Sequence, residues 1–532
     1  MKDLLVNRLT KELDHTFQNY YPLKYESLKT SINWNGLTIL IHKPSLVCGT
    51  SKHDLNNKFP TLFFHSDQLE IKNISIRKIL FTDDLELQNL SLKKPHLKLI
   101  IFDSTSIVKK QNGIRNRSKI IHFLSVKKIS IANGSLACSH YNDLIDTTFL
   151  GLDINSNVEN IKLDVSKLKK IAFTLTPKNK FSFSILKAFY LPYKSNYFFK
   201  MDSLVLNDKN KLISAKNISE KTLKSKIEIS RLFEFSKIIS DVNIKSLLIN
   251  GYDLKELVLQ KSIVLHSINL DKVELDLFKN KKRKLNKKRE RLLIQEMLTT
   301  LPFQLKIDKV KITNSSLNFE IIDFKTKSPV IIYLSEVNVI LNNINTFKGT
   351  HDTLILNGNG KIMDRALFRL KIVFPNVFAA KHYYSGSVGH MSFQKFNPIL
   401  SSYSGIQFVD GSIQSIVFSG KCNKYENRGS LVFRYKNLKI KSEKINRKGK
   451  KKKARIASFF GNLILQNNNP RKKDEEAERF SYYLKREKHQ SHIALLFKGV
   501  LEGVKNTLVN KKTQDKIKRF NVRKLRRKKD WK

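Results

Sequence analysis

The chain has 532 residues and a formal net charge of +53, from 99 Lys and Arg against 46 Asp and Glu. A hydrophobic fraction of 41%, with 34 Phe, excludes wholesale disorder, and the length allows a sizeable buried core. A positive charge of this size predicts a polyanionic neighbour, such as nucleic acid, an anionic membrane surface or an acidic glycolipid.

The first twenty residues predict an amphipathic helix. Leu5, Leu9, Leu13 and Phe17 recur every four residues among charged side chains. Two interpretations stay open for this helix: packing against a core, and lying on a membrane surface. No stretch of the chain approaches the roughly 18 uncharged apolar residues that a spanning helix needs, and the start lacks the residue order of a signal peptide.

Alternation of apolar and polar residues dominates from about residue 28 to residue 440. It continues on both sides of Asn314 in Val310–Ile321, and it recurs around Asn133-Gly134. Side chains along a strand point to opposite faces, so each unit predicts two half-buried strands joined by a turn or a bulge. The predicted fold is mainly β: an elongated, curved antiparallel strand-repeat sheet, taco-like or groove-like, with short helices at the N- and C-termini.

The alternation is one-sided, because Leu, Ile, Val and Phe share one phase while Lys, Ser, Asn and Thr share the other. Such a sheet has one face that something apolar must cover. Helical segments that could cover it are scarce before residue 470. We therefore expect the sheet to pack on itself, to curl into a groove or to hold lipid.

The chain divides into seven predicted segments. They are an N-terminal amphipathic helix (1–20), the N-terminal part of the repeating β-groove (21–280), a basic loop and short helix (281–300), the C-terminal part of the groove (301–445), a basic loop and strand (446–470), C-terminal helices (471–510) and a basic tail (511–532).

The basic runs have three interpretations: solvated loops, contact with an anionic surface, or a nuclear address or nucleic-acid site. The candidates for anionic contact are Lys281, Lys282, Arg283, Lys284, Lys450, Lys451, Lys452 and Lys453.

The predicted C-terminal helices begin with Asp474–Lys488, which is charged and helix-favouring. An apolar stripe at helical spacing follows. It is formed by Ile493, Leu496, Phe497, Val500, Leu501, Val504 and Leu508. This helix either caps the open end of the sheet or docks on a membrane or a partner.

Signatures of catalysis are missing. The chain has no HExxH, no P-loop and no G-x-S-x-G, so we predict no enzyme, no catalytic residue, no cofactor and no metal site. His489 and His492 lack nearby ligands at zinc spacing and are interpreted as two solvated helix histidines. Cys48, Cys138 and Cys422 form no CxxC pair, which favours free thiols over a disulfide framework.

Several segments resemble AsmA-like and TamB-like proteins. The strand pairs at Ile129–Leu136 and Val310–Phe319 resemble the repeat of that family, and Gly386–Phe396, Gly411–Gly420 and Gly429–Ile440 are similar to its closing strands. The resemblance implies a curved β-sheet trough like that of bridge-like lipid-transfer proteins, with an apolar inside that can hold acyl chains. It also implies attachment to the inner membrane of a diderm bacterium, on its periplasmic side, and a role in phospholipid transport or outer-membrane assembly.

Family members usually begin with a transmembrane anchor, whereas this chain begins with a polar amphipathic helix. We expect either another kind of surface attachment or a protein start upstream of Met1.

The sequence thus predicts a non-catalytic groove that binds or conducts phospholipid or another anionic amphiphile, at a membrane surface and with a possible envelope-protein partner. The groove candidates are Val310, Ile312, Leu317, Phe319, Phe368, Leu370 and Ile372. Two alternatives stay open: a scaffold without lipid cargo, and a non-specific nucleic-acid binder, since no motif for specific nucleic-acid recognition occurs.

Overall fold

The structure is a computed structural model, and it divides into two compact units, Met1–Glu220 and Lys221–Lys532. The residues that it describes are 6–7, 10–11, 23–48, 61–75, 77–78, 84–102, 123–142, 145–164, 180–192, 195–253, 256, 262–323, 329–379, 381–397, 406–445, 451–453, 466–472 and 474–508.

The described residues of the first unit lie mainly in strands. They are β1 (Leu23–Lys24), β2 (Ser27–Asn33), β3 (Gly36–His42), β4 (Ser45–Cys48), β5 (Thr61–His65), β6 (Gln68–Ile74), β7 (Asp84–Lys93), β8 (His96–Phe102), β9 (Phe123–Asn142), β10 (Ile145–Asp164), β11 (Lys180–Tyr190), β12 (Tyr197–Asn207) and β13 (Leu212–Thr222), which runs across the unit boundary.

In its described residues, the second unit combines strands with three helices and one 3₁₀ helix. Its strands are β14 (Ile238–Asn250), β15 (Ser262–Asn280), β16 (Gln304–Ile322), β17 (Val330–Asn345), β18 (Leu354–Ile362), β19 (Ala366–Phe374), β20 (His382–Val388), β21 (Met391–Ser392), β22 (Ile406–Cys422), β23 (Glu426–Ile445), β24 (Lys451–Lys453) and β25 (Arg479–Lys485). Its helices are α1 (Lys226–Leu232), α2 (Ile294–Thr299), the 3₁₀ helix (Phe393–Phe396) and α3 (His492–Thr507).

Strand pairing is mostly antiparallel, but the sheet is mixed. Within the described residues β7 and β8 both pair with β9 in parallel, and β15 pairs with β16 in parallel. The prediction of a mainly β chain with few short helices is confirmed. The parallel pairings correct its purely antiparallel sheet, because the long excursion between β15 and β16 lets the chain return in the same direction.

Of the two alternatives predicted at the Asn-containing repeats, a turn or a bulge, the structure has a bulge at Asn133 and at Asn314. Asn133 and Asn314 lie inside the continuous strands β9 and β16, with φ angles of 52° and 53°. Asn tolerates this left-handed backbone conformation, so the strand takes one extra residue and continues. At Asn35-Gly36, where apolar and polar residues alternate on both sides as well, the chain does reverse between β2 and β3.

The helical predictions have mixed outcomes. In the predicted N-terminal helix, residues 6–7 and 10–11 are described and are helical, and its other positions lie outside the described residues. The helix predicted within Asp474–Lys488 is wrong over Arg479–Lys485, which forms β25 and pairs with β23. Pairing with an existing strand edge outweighed the helix propensity of the charged residues. None of the described helices is both long and apolar enough to cross a bilayer.

Apolar clusters form the core of each unit. In the first unit Leu37, Ile39 and Ile41 of β3 lead a buried cluster. The second unit has two clusters: one around Phe433 and Tyr435, and one around Phe374 and Leu495. Helix α1 packs on β15, where Asn280 Nδ2 donates to Ser230 Oγ at 2.9 Å.

Candidate functional site

One sheet face of the second unit carries apolar side chains in lateral rows. Residues that are paired across neighbouring strands point to the same face, so strand register places each row. One row, from β15 to β25, is Leu270, Ile312, Val339, Gly358, Leu370, Gly386, Phe418, Leu431 and Phe480. The next row is Ile268, Val310, Leu341, Leu356, Ile372, Tyr384, Gly420, Gly429 and Tyr482. We call this surface the apolar face.

Bulges at neighbouring positions in β15, β16 and β17 keep the apolar side chains of each strand on one face along its whole length. Lys272, Asn314 and Glu336 have φ angles of 51°, 53° and 49°. The β16–β17 pairing shifts on both sides of Ser315, first by one extra residue in β16 and then by one in β17. The two shifts cancel, so Leu317 and Phe319 lie on the same face as Ile312.

The structure brings all seven predicted groove residues to the apolar face. Val310, Ile312, Leu317 and Phe319 lie on β16, and the other three lie on β19 (Phe368, Leu370 and Ile372). Ile372 is buried, with 3% exposure, whereas the remaining six are half-buried. The prediction that these residues share a face therefore agrees with the register, and their contact with lipid stays a prediction.

Helix α3 covers the apolar face over β23 and β25. Leu495 and Leu496 are buried in the same cluster as Ile372. The close approach depends on the two glycines of Gly499-Val-Leu-Glu-Gly503, because a Cβ at either position would lie 2.9 Å from a ring carbon of Tyr482. The interpretation of this helix as a cap on the sheet is therefore supported by its packing.

Buried polar groups fix α3 to the sheet. Asn427 Nδ2 donates to the carbonyl of Leu495 at 3.1 Å, and the Tyr384 hydroxyl donates to Asn427 Oδ1 at 2.5 Å. The hydroxyls of Tyr384 and Tyr482 lie 2.7 Å apart. Burial raises the pKa of both phenols, so they stay protonated and able to donate.

The opposite side of α3 remains exposed. Of the predicted apolar stripe, Ile493, Phe497 and Leu501 are exposed by 71%, 57% and 49%. Val500 and Val504 pack against the cluster around Phe433. The stripe is thus divided between a side that packs on the sheet and a side that does not.

A half-buried lysine lies at one end of the apolar face, in line with half-buried apolar side chains. Lys279 follows Leu275 and Leu277 in the same strand phase and pairs with Ile321 of β16. Burial lowers the pKa of Lys279, and the positive charges of Arg291, Lys281 and Lys498 lower it further. An ammonium group in such surroundings favours an anionic ligand, since an anion would offset both the desolvation and the repulsion.

Sequence reasoning did not select Lys279. The sequence nevertheless indicates it, because Lys279 stands at the position where the alternation of Leu275 and Leu277 predicts another apolar residue.

The predicted basic contacts differ in their surroundings. Lys281, Lys282 and Lys284 are exposed. The Arg283 guanidinium instead donates to the Phe233 carbonyl, at 2.6 and 2.8 Å, and so ties the loop to the end of α1. Lys450 lies outside the described residues. Lys451, Lys452 and Lys453 form β24, of which the backbone pairing with β23 is described.

A second group of residues, which sequence reasoning missed, lies where α3 begins. His382, Cys422 and His492 are buried, and one potential metal-ligand atom of each lies within 4.8 Å of the others. The interpretation of His492 as a solvated histidine is wrong, because it is 3% exposed and its partner is His382. The three residues are far apart in sequence, and only strand pairing and helix docking bring them together.

Burial controls the ionisation of this group. It lowers the pKa of His382 to about 3 and that of His492 to about 4, with added repulsion from His492 on His382 and from Arg486 on His492. Burial also raises the pKa of the Cys422 thiol to about 12. Both imidazoles are therefore neutral near pH 7, and each keeps a lone pair on one ring nitrogen.

No protein-family model matches the chain, and no curated protein matches it.

Proposed function

We propose that the protein binds an anionic amphiphile without catalysis, with its acyl chain along the half-buried apolar side chains near the ends of β15 and β16 (Leu275, Leu317 and Phe319) and its head group near Lys279. A phospholipid is the expected ligand. The observation that carries the proposal is a half-buried lysine, surrounded by other cations, at the end of a strip of half-buried apolar side chains.

The strip can accept an acyl chain because its side chains still have surface to bury. Leu275, Leu317 and Phe319 are half-buried, in contrast to Leu431 under α3, which has 0% exposure. Burial stabilises a bound chain by about 0.8 kcal/mol per methylene. Several methylenes then suffice for retention, and the equivalent rows of apolar residues allow the chain to slide.

The cations at the end of the strip favour a negatively charged head group. A Lys or Arg near an anionic lipid contributes about 1 kcal/mol, and less as salt increases. Arg291 and Lys498 act electrostatically on Lys279, so a phosphate beside Lys279 would relieve that repulsion. This favours anionic lipids over zwitterionic ones.

The resemblance to AsmA-like and TamB-like proteins extends the proposal to a place of action. We infer attachment to the periplasmic side of the inner membrane of a diderm bacterium, transfer of phospholipid between membranes or support of outer-membrane assembly, and contact with an envelope-protein partner. The exposed side of α3, with Ile493 and Phe497, and the exposed Lys281 and Lys282 suit an anionic membrane surface.

The test measures lipid that copurifies with the protein. We expect wild-type protein to carry phospholipid, detected by mass spectrometry of an organic extract. In Phe319→Asp the retained lipid should fall about tenfold or more, because desolvating a carboxylate beside an acyl chain costs several kcal/mol. The matched control is Leu367→Asp, since Leu367 is 60% exposed and lies on the opposite face of β19. This control should retain as much phospholipid as wild-type protein does.

Circular dichroism and thermal unfolding of both variants separate loss of binding from loss of fold. Equal lipid content in wild-type protein and a folded Phe319→Asp variant would contradict the proposal. Wild-type protein without any lipid would instead favour a scaffold with no cargo.

A further inference from the structure

Three buried side chains converge where β20, β22 and α3 meet. His382 begins β20, Cys422 ends β22, and the two residues are paired in register. His492 is the first residue of α3, directly after the N-cap Ser491, whose hydroxyl accepts from the Ala494 amide at 3.3 Å. Regular secondary structure therefore positions all three residues.

The polar atoms of these side chains are poorly satisfied by the protein. The Nε2 atoms of His382 and His492 lie 2.5 Å apart, closer than the usual 2.7 to 3.2 Å of a hydrogen bond from N–H. The Nδ1 atom of each ring is buried without a hydrogen-bond partner. Two neutral imidazoles have two N–H groups and two lone pairs, so one mutual hydrogen bond leaves a donor and an acceptor unused. An ion that accepts the Nε2 lone pairs of both rings would replace their close contact and leave each ring protonated at Nδ1.

We propose that His382, Cys422 and His492 bind one thiophilic transition-metal ion through their Nε2 atoms and the Cys422 sulfur. Imidazole and thiolate are the ligands that such ions prefer. Bond lengths of about 2.0 Å to nitrogen and about 2.3 Å to sulfur place ligand atoms roughly 3.3 to 3.6 Å apart in a tetrahedral arrangement. The two nitrogens then separate by less than about 1 Å from their present positions. On binding, the Cys422 S–H bond breaks, the proton leaves to solvent, and the thiolate binds the metal ion.

Local charge favours Cu⁺ over Zn²⁺. A thiolate with Cu⁺ forms a neutral centre, whereas a thiolate with Zn²⁺ leaves one positive charge. The buried Arg486 acts electrostatically on both Cys422 and His492. The other charge that acts on Cys422 belongs to Glu426, which lies 2.5 Å from the Arg428 side chain and is largely neutralised by it. A buried site beside Arg486 is therefore better suited to the neutral centre.

Metal binding would fix the helix that covers the apolar face. Two ligands belong to the sheet and the third to the first turn of α3, so the metal joins the helix start to the ends of β20 and β22. The bound form should then resist unfolding more than the metal-free form does, because a ligand that binds only the folded state stabilises it.

The experiment uses the full chain, stripped of metal with a chelator for each ion. One sample receives Cu⁺ together with a reductant, and a parallel sample receives Zn²⁺. Unbound metal is then removed, and the metal that remains bound is measured by mass spectrometry. We expect about one tightly bound Cu⁺ per chain, with a higher melting temperature, and weaker Zn²⁺ binding. Cys422→Ala and His492→Gln should each reduce bound metal to background. The matched control Cys138→Ser, at a half-buried free thiol of the first unit, should bind as wild type does.

X-ray absorption of the loaded wild-type protein gives an independent measurement that needs no variant to fold. One sulfur and two nitrogen ligands are expected around the metal. Wild-type protein that binds no more of either ion than Cys422→Ala, or a metal shell without sulfur, would overturn the proposal. Tight Zn²⁺ binding without Cu⁺ binding would keep the site and overturn the choice of ion. The lipid content of the protein is measured separately, so this outcome does not depend on the proposed lipid binding.

Discussion

At the scale of the residue, position within a strand decides what a lysine does. Lys309 of β16 is exposed, as most lysines of a strongly basic protein are, whereas Lys279 shares the phase of Leu275 and Leu277. Its ammonium is half-buried beside other cations, which lowers its pKa. The two residues have the same chemistry and different surroundings, so they form a matched pair for an experiment.

We predict that Lys279→Gln weakens selection for anionic lipid. Purified protein is incubated with mixed vesicles of phosphatidylglycerol and phosphatidylcholine, and the ratio of the two retained lipids is measured. Loss of about 1 kcal/mol of head-group attraction should reduce the retained anionic share about fivefold. Lys309→Gln removes the same charge from an exposed position and should leave the ratio unchanged. An equal effect of both variants would mean that overall charge, and not Lys279, selects the head group.

Single residues also show which parts of the candidate sites could be predicted from the sequence. The shared face of the seven groove candidates could be predicted because strand alternation is visible in the sequence itself. The His382, Cys422 and His492 group was not found, because its residues come from two strands and a helix whose pairing register no local pattern specifies.

At the scale of the element, α3 depends on small residues where it crosses the sheet. A Cβ on Gly503 would lie against Leu431 and 2.9 Å from Tyr482 Cδ1. We predict that Gly503→Ala lowers the free energy of unfolding by about 1 to 2 kcal/mol, because an overpacking cost of about 2 to 3 kcal/mol exceeds the gain of about 1 kcal/mol in helix propensity. Chemical denaturation of the metal-free protein measures the difference.

The control for this substitution is Lys498→Ala in the same helix. Lys498 is exposed, so its replacement should change stability by no more than about 0.5 kcal/mol. If Gly503→Ala were as stable as wild type or more stable, α3 would not be held in close contact with the sheet.

The error at β25 has a physical origin at this same scale. Asp474–Lys488 is rich in charged, helix-favouring residues, and this composition concealed the alternation of Phe480 and Tyr482. Both side chains are buried, with 1% and 3% exposure, because β25 pairs with β23 beneath α3. Burial of two aromatic rings outweighs the modest propensity differences of the charged residues.

At the scale of the whole molecule, composition and alternation predicted the mainly β fold but not its mixed pairing. The parallel partnership of β15 with β16 depends on a non-local return of the chain through a basic loop and α2. Composition also predicted a polyanionic partner without saying which one, since a net charge of +53 attracts nucleic acid and anionic membranes alike.

The salt dependence of binding distinguishes nucleic acid from lipid, because contacts between charges weaken with salt and apolar contacts do not. The screening (Debye) length shortens to about 3 Å at 1 M salt, so binding that rests on charge alone should disappear. We predict that the affinity for duplex DNA falls more than about 10³-fold between low and high salt, measured by fluorescence anisotropy. Phospholipid already held on the apolar face should change less than about twofold in the same buffers, because burial of methylene groups is not screened.

Delipidated protein provides the control for this comparison, since any DNA binding that it gains would show that lipid and DNA compete for the same surface. Parallel loss of lipid and DNA with salt would mean that both are held by charge alone, with the apolar face contributing nothing. Retention of lipid at a salt concentration that releases DNA requires apolar contact, and Phe319→Asp should abolish that retention while leaving the DNA response unchanged. The combination ties salt-resistant binding to one face of one sheet, which neither measurement achieves alone.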